Sequence, residues 1–183
     1  MVDSAQEILT SLHPHSTLES SGIKLIGDAH NKITQSLARQ CAALLTHDQR
    51  QQCGPSTVTK VVESWCRKSC PNILDMACAD VARRVDRYQL EQKQSSQSTG
   101  LILDSRAVRD SLLKNCPAVT VAGAIAACAV IEYLLGEMLQ AGYKQARRHD
   151  RRTLTSHDIS RGISKDVELT AICDILRIAS AAK

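Results

Sequence analysis

The sequence predicts an all-α protein built from two successive helical units, and three observations lead to this prediction. Apolar residues recur at helical spacing through most of the chain, and only four prolines interrupt it. One Trp, three Tyr and no Phe leave a core of small aliphatic side chains, which suits closely packed helices. The order short helix, long helix, third helix occurs twice, on either side of a polar segment.

The first unit opens with a short amphipathic helix over about residues 4–12, which ends before Pro14. A long helix follows and ends near Thr46. The residues that define its apolar face are Ile26, Ile33, Leu37, Cys41 and Leu44.

The second half of this unit begins with the Gly54-Pro55 step, which predicts a loop. The β-branched tripeptide 57–59 then predicts a short extended segment. A helix through Trp65 follows, and Pro71 favours the first turn of an additional helix.

Residues 91–100 are polar, rich in Ser and Gln, and have no periodicity. We interpret them as a linker between a domain at 1–90 and a domain at 101–183, because the helical pattern restarts after them. The alternative is a surface loop within one domain.

The second unit repeats the order of the first. A short helix ends before Pro117, and a long helix covers about 119–147. Its segment 121–131 is apolar nearly all round, so it should be buried on most faces. The tripeptide 153–155 predicts a second extended segment, and Asp158 three residues later predicts a capping box at the start of the next helix. A last short helix follows.

The net charge of +4 and the sequence pI near 8.7 are mildly basic, which is compatible with an acidic partner. The basic excess lies mainly in the second half, with 12 basic and 9 acidic residues in 96–183. No uninterrupted apolar run reaches the ~18–20 residues of a membrane span. The N-terminal sequence lacks a basic region followed by an apolar run, so we expect an intracellular protein.

The chain contains eight cysteines, which we expect to be reduced and mostly buried. Cys66 and Cys70 are four residues apart and offer an alternative interpretation as metal ligands, but structural zinc sites usually have tighter spacing. The histidines form no ligand spacing either. No Gly-rich phosphate loop or G-x-S-x-G motif is present, so we expect no cofactor, no metal and no enzymatic activity.

Three segments of the second unit resemble a 2A-type core histone. Residues 130–139 look like the middle of its long helix, 151–155 like its basic second loop, and 163–169 like the acidic start of its next helix. The resemblance covers about residues 100–173.

The first unit resembles a 2B-type histone over about residues 7–88. Residues 12–14 match the end of the first helix, and residues 71–74 match the start of the additional C-terminal helix that distinguishes this type. A 2B-type unit followed by a 2A-type unit in one chain is similar to the histone doublets of giant DNA viruses.

The resemblance implies two histone folds in one chain, paired as a pseudo-heterodimer, with an extra helix after the first fold. It implies a structural DNA-packaging protein that forms nucleosome-like particles on double-stranded DNA with a 3–4-type histone doublet or tetramer. We expect sequence-independent wrapping, and no membrane or small-molecule substrate. The expected location is the virion and the host nucleus or a cytoplasmic viral factory, or the nucleus if the protein is not viral.

The sequence departs from the histone pattern in its basic residues. Lysine-rich tails are missing at both ends, and about ten residues follow Cys173 where 2A-type histones have a longer segment. Thr120 stands where the family usually has Arg, and the loop at 52–56 has lost its basic residues. These departures predict a reduced variant that wraps DNA less tightly.

The basic residues that the resemblance places near DNA are spread over both units. Arg151, Arg152 and Thr153 are the main candidates, and a solvated charge run at a helix end is the alternative. The full set of candidate DNA contacts is Arg151, Arg152, Thr153, Arg106, Arg109, Lys24, Lys60 and Arg39. Arg39 lies mid-helix, where an ion pair would be an equally good explanation.

Four carboxylates match positions of the histone acidic patch that docks partner proteins and histone tails: Glu132, Glu137, Asp166 and Glu168. Gln140 and Val167 replace two of the patch's acids, so the patch is thinned. The alternative is a set of scattered surface carboxylates. Trp65 and Tyr133 are expected in the core or at the dimer interface.

Two other functions remain open at this point. A histone-fold interaction module of a transcription or assembly factor would explain the weak net charge, the missing basic residues in the loop at 52–56 and the missing tails. A generic helical bundle without a role on DNA is the third interpretation.

Overall fold

The computed structural model describes residues 2–49, 51–66, 69–92 and 100–178. This part of the chain forms eight helices and two short strands, so the all-α prediction is confirmed. In chain order the elements are α1 (Val2–Leu12), β1 (Thr17–Leu18), α2 (Ser20–His47), α3 (Pro55–Cys66), α4 (Pro71–Gln92), α5 (Ser105–Leu113), α6 (Val121–Arg147), β2 (Thr153–Leu154), α7 (Ser156–Ser164) and α8 (Val167–Leu176). Most of the linker predicted at 91–100 lies outside the described residues.

Helix α6 is the centre of the molecule. It packs against α1, α3 and α4 from the first half of the chain and against α5 and α7 from the second. Every residue from Gly123 to Glu132 is buried, as the apolar sequence of this segment predicts. The helix is long and apolar enough to cross a bilayer, with a mean hydropathy of 1.6, but 72% of that window is buried inside the protein. Its composition is therefore explained by its position in the core.

The two halves share one continuous core because each long helix packs on elements of the other half. Helix α2 contacts α5 and α7 of the second half, just as α6 contacts α1, α3 and α4 of the first. Helix α4 begins at Pro71, as predicted, and lies against α6 with its buried face. Burial of this shared apolar surface is the main force that holds the halves together.

A parallel strand pair, the β1–β2 junction, joins the halves at one end. Thr17 pairs with Thr153, and Leu18 pairs with Leu154. The Thr17 N–H donates to the Arg152 carbonyl at 3.1 Å. The extended segment predicted at 153–155 therefore exists, and its partner is a segment of the first half for which no strand was predicted.

A second parallel bridge, the Cys53–Val119 junction, joins the halves elsewhere. The Cys53 N–H donates to the Ala118 carbonyl at 2.6 Å, and the Cys53 carbonyl accepts from the Thr120 N–H at 3.0 Å. The prediction that 57–59 is an extended segment is wrong, because these residues belong to α3. Pro55 starts that helix, and Cys53 before it is the residue that bridges.

Two glycines mark places where backbones meet. A Cβ on Gly162 of α7 would lie 2.4 Å from the Ala141 carbonyl carbon of α6. A Cβ on Gly123 would lie 2.3 Å from the Cys53 carbonyl oxygen. Both distances are far below any real carbon contact, so only glycine lets these elements approach as they do.

Candidate nucleic-acid interface

Two helices begin side by side at the β1–β2 junction. Helix α2 starts at Ser20 and α7 at Ser156, directly after the two paired strands. The Ser156 N–H donates to the Ser21 hydroxyl at 3.1 Å, which shows how close the two N-termini lie. Exposed N–H groups and the helix dipole give such an end a positive potential, so two together favour a bound anion.

Polar and basic side chains surround this pair of N-termini, together with the exposed carboxylate of Glu19 directly before α2. The Thr17 and Thr153 hydroxyls are exposed and 3.0 Å apart. Arg152 is exposed, and its guanidinium makes no ion pair with the described residues. Lys24 lies exposed one turn into α2. The sequence-based candidates Arg152, Thr153 and Lys24 therefore fall at one end of the molecule.

A cavity of about 230 Å³ opens beside Arg152 and is also lined by Arg147 and His15. None of its lining residues is acidic. Its wall is fixed by His13, whose ring stacks on Tyr143 with centroids 3.5 Å apart. The Nε2 atom of the same ring lies 2.5 Å from Gln140 Oε1, so the loop after α1 is held against α6. The His13 contacts with Tyr143 and Gln140 therefore form one wall of the cavity that Arg147 and Arg152 also line.

Arg151 has a different environment from its neighbour Arg152. Its guanidinium donates two hydrogen bonds to the Asp158 carboxylate, at 2.8 and 2.6 Å. The Thr155 hydroxyl accepts from the Asp158 N–H, and the Asp158 carboxylate accepts from the Thr155 N–H, which confirms the predicted capping box. Although burial opposes ionisation, Arg151 and Thr155 hold the pKa of the Asp158 carboxyl below its usual range. Arg151 therefore fixes the start of α7.

The Cys53–Val119 junction offers few available cations among the described residues. Arg109 donates from Nε to the Val119 carbonyl at 2.9 Å. Lys60, in α3, forms an ion pair with Asp48 at 3.1 Å. The exposed residues at this junction include Gln51 and Gln52, which are neutral. Two candidates for DNA contact, Arg109 and Lys60, are thus engaged within the protein.

The remaining candidate cations lie elsewhere. Arg106 is exposed near the start of α5, where its backbone N–H donates to the Asp104 carboxylate at 2.8 Å. Arg39 is exposed in the middle of α2, and its Nε donates to the Gln35 carbonyl at 3.3 Å. The structure does not bring these residues into the β1–β2 junction.

The cysteines near the Cys53–Val119 junction are buried free thiols. Burial raises the pKa of the Cys116 thiol to about 11, and the thiol of Cys53 lies beside it. Protonated thiols of this kind behave as small apolar side chains. Within the described residues no group of three or more His, Cys, Asp or Glu is placed to hold a metal ion. The Cys66 side chain lies outside the described part.

Glu132 is only 7% exposed, so it does not lie on an exposed acidic surface. Its Oε1 accepts from the Ile102 and Leu103 N–H groups, both at 2.5 Å. Burial raises the pKa of the Glu132 carboxyl. Glu132 therefore anchors the segment that enters the second unit onto α6.

The other three predicted acidic residues lie near the surface but are partly engaged. The Glu168 carboxylate accepts from the Asn72 amide at 2.6 Å and from the Ile73 N–H at 2.8 Å, which caps α4. Asp166 is exposed and caps α8. Burial raises the pKa of the half-buried Glu137 carboxyl, while Lys144 nearby lowers it. An acidic patch of this composition is small and already partly neutralised.

Several residues at the β1–β2 junction were missed by the sequence prediction: Thr17, Ser20, Ser21, Arg147, Ser156 and Asp158 as the partner of Arg151. The sequence does contain a signal for β1 and for the start of α2. Thr-Leu-x-Ser occurs at both 17–20 and 153–156, and each copy is a strand followed by a helix start.

Neither protein-family models nor curated proteins give a match to the chain.

Proposed function

We propose that the chain consists of two histone folds joined head to tail and paired as a pseudo-heterodimer. The order short–long–short in α1–α2–α3 and again in α5–α6–α7 supports this, as does the packing of each long helix on the other half. The two parallel junctions pair the loop of one half with the loop of the other. In this proposal α4 is the extra helix of the first fold, and linkage in one chain makes the pairing independent of protein concentration.

The proposed function is sequence-independent packaging of double-stranded DNA in nucleosome-like particles, together with a 3–4-type histone doublet or tetramer. The observation that carries it is the β1–β2 junction, where two helix N-termini and the free guanidinium of Arg152 face solvent together. Backbone N–H groups at helix starts bind phosphate, and arginine enters the minor groove without reading bases. We propose no catalytic role. The order of the two units, 2B-type and then 2A-type, favours a viral histone doublet. Such a protein would act in the virion and in the infected cell.

The experiment is reconstitution with a 3–4-type histone doublet on long DNA of random sequence, followed by nuclease digestion. A discrete protected fragment supports packaging. The Arg152→Gln variant should give weaker protection, whereas Lys60→Gln should protect as the wild type does, because Lys60 is already paired with Asp48. A featureless digest beside a stable protein complex would exclude packaging.

A histone-fold interaction module is the second candidate, and the Cys53–Val119 junction is the observation that favours it. Arg109 and Lys60 are engaged internally there, so among the described residues that end has less charge available for phosphate. A module of this kind would bind a protein partner with little dependence on salt. Packaging predicts DNA affinity that falls steeply with salt. A salt titration on random-sequence DNA, with and without the 3–4-type partner, separates the two.

A further inference from the structure

Three basic side chains come together where helices α6 and α7 end. Arg148 directly follows α6, Lys165 directly follows α7, and Arg161 lies in the last turn of α7. All three side chains are exposed, and we call them the basic cluster. None of them is among the DNA contacts predicted from the sequence, and the proposed packaging function does not use them.

The amide of Gln145 brings two of these cations to one point. Its Oε1 atom accepts from Arg148 Nη1 at 3.3 Å and from Lys165 Nζ at 2.9 Å. The two nitrogen atoms therefore lie at most two hydrogen-bond lengths apart, which is close enough for both to contact the same oxyanion. Gln145 is only 6% exposed, so the shared acceptor is held in place by the surrounding protein. Both cations keep further N–H donors for a ligand.

The positive charge of the basic cluster is not neutralised by direct contacts. None of its members forms an ion pair with another of the residues that the structure describes. A helix C-terminus carries a partial charge of about −0.5, so the two helix ends together offset about one of the three positive charges. Desolvation and the charges of Arg148 and Arg161 lower the pKa of Lys165. A carboxylate in contact with this ammonium group would raise its pKa instead, and a bound anion would relieve the repulsion among the cations.

The residues next to the basic cluster favour a protein carboxylate over the phosphates of a DNA duplex. Two exposed aspartates, Asp150 and Asp166, flank the cluster along the chain. A duplex would bring its closely spaced phosphates against these carboxylates, whereas a protein segment can present neutral groups to them. Val167 is 82% exposed and lies two residues after Lys165, so a partner with an apolar side chain could pack on it.

We propose that the basic cluster binds an acidic segment of a partner protein, with one carboxylate of that segment in contact with Arg148 and Lys165. Arg161 lies one helical turn before Lys165 and binds a second carboxylate of the segment. Val167 contacts an apolar residue between the two acids. This surface shares no residue with the proposed DNA interface at the β1–β2 junction. The proposal goes beyond the packaging function and does not depend on it.

The test is a nuclear magnetic resonance titration of the full ¹⁵N-labelled chain with the acetylated peptide EEELEEE, with its counterpart KKKLKKK and with a short DNA duplex in separate arms. EEELEEE should give saturable shifts at 145–148 and 161–168, and KKKLKKK should give none there. The double variant Arg148→Gln/Lys165→Gln should weaken EEELEEE binding by about tenfold or more, because two charge-assisted contacts are lost. Both side chains are exposed, so the variant should keep the wild-type circular dichroism spectrum. Arg161→Gln leaves the two contacts to Gln145 intact and should weaken binding as well.

The matched control is Arg152→Gln, which should bind EEELEEE as the wild type does while its DNA affinity falls. Equal EEELEEE affinity of the double variant and the wild type overturns the site, and so does equal binding of KKKLKKK. A duplex that shifts 145–148 and 161–168 at lower concentration than EEELEEE overturns it as well, and assigns the basic cluster to DNA. Failure of the wild type to bind DNA, with EEELEEE binding intact, would contradict only the proposed packaging function.

Discussion

The guanidinium of Arg151 and the carboxylate of Asp158 meet in a two-point ion pair that connects the loop before β2 to the first turn of α7. Asp158 is 2% exposed, whereas Arg151 is 41% exposed at its side chain. Removal of the arginine would leave a buried carboxylate with only the Thr155 groups as partners. We therefore expect Arg151 to contribute more to the stability of the fold than to the positive charge that the surface offers to a ligand.

The first prediction follows from this pair. Arg151→Gln should lower the free energy of unfolding by about 1–3 kcal/mol, the usual cost of an unsatisfied buried group. Arg152→Gln should change it by less than about 0.5 kcal/mol, as for other exposed side chains. Urea denaturation of both variants measures the difference. Equal stability of the two would contradict the structural role of Arg151.

The second prediction concerns DNA. Arg152→Gln should reduce the slope of log K against log salt concentration by about 0.9, the value for one phosphate contact. Arg151→Gln should reduce it less, because the Arg151 charge is already paired with Asp158. Fluorescence anisotropy on a random-sequence duplex over a series of salt concentrations gives both slopes. If Arg151→Gln had the larger effect, the assignment of the interface to Arg152 would be wrong.

The third prediction uses the close approach of α7 to α6. Gly162→Ala should destabilise the protein by about 1–3 kcal/mol or more, because the added methyl group meets the Ala141 backbone and one helix must move. Gly54→Ala is the matched control, since nothing lies within 4 Å of a Cβ at that position. Thermal unfolding of the two variants checks this. A wild-type melting temperature for Gly162→Ala would show that the helices are not in contact there.

The fourth prediction concerns pH. The folded-state pKa of Glu132 is raised above its ordinary value of 4.5, so its contribution to stability is present below that value and lost as pH rises through the folded pKa. Glu132→Gln keeps an acceptor for the Ile102 and Leu103 N–H groups and removes the buried charge. The variant should therefore be at least as stable as wild type at pH 7, with a flatter pH profile above 4.5.

The control for this prediction is Glu132→Ala, which removes the acceptor as well. It should be less stable than wild type at every pH, by about 1–3 kcal/mol. Urea denaturation between pH 4 and pH 8 separates the three proteins. A Gln variant as unstable as the Ala variant would show that the charge of Glu132, and not its acceptor oxygen, holds the segment.

The helices were predictable because their apolar periodicity is strong and their ends are marked. Pro71 begins α4, and Thr155 with Asp158 caps α7, as the sequence indicated. The 57–59 tripeptide was misassigned because β-branched residues favour extended backbone only weakly, while Pro55 pre-organises a first helical turn. The weak β propensity of this tripeptide was outweighed by the helix that starts at Pro55.

The roles of single charged residues could not be read from the sequence in the same way. Arg151 and Arg152 are neighbours with the same charge, and only the fold places Asp158 against one of them. The resemblance to a 2A-type histone predicted a surface carboxylate at Glu132, although its neighbours Ile131 and Leu134 are apolar and indicate a buried face. Tertiary contacts decide which charges remain available for a ligand.

The two junctions also require that both halves of the chain be present before folding is complete. Thr17 meets Thr153 across 136 residues, and Cys53 meets Thr120 across 67. Contacts so distant in sequence form slowly, since a long loop must close before any contact stabilises it. During synthesis the first half has only α1 and α3 to cover α2, so the part of its apolar face that packs on α5, α6 and α7 should stay exposed to aggregation or to a chaperone until those helices are made.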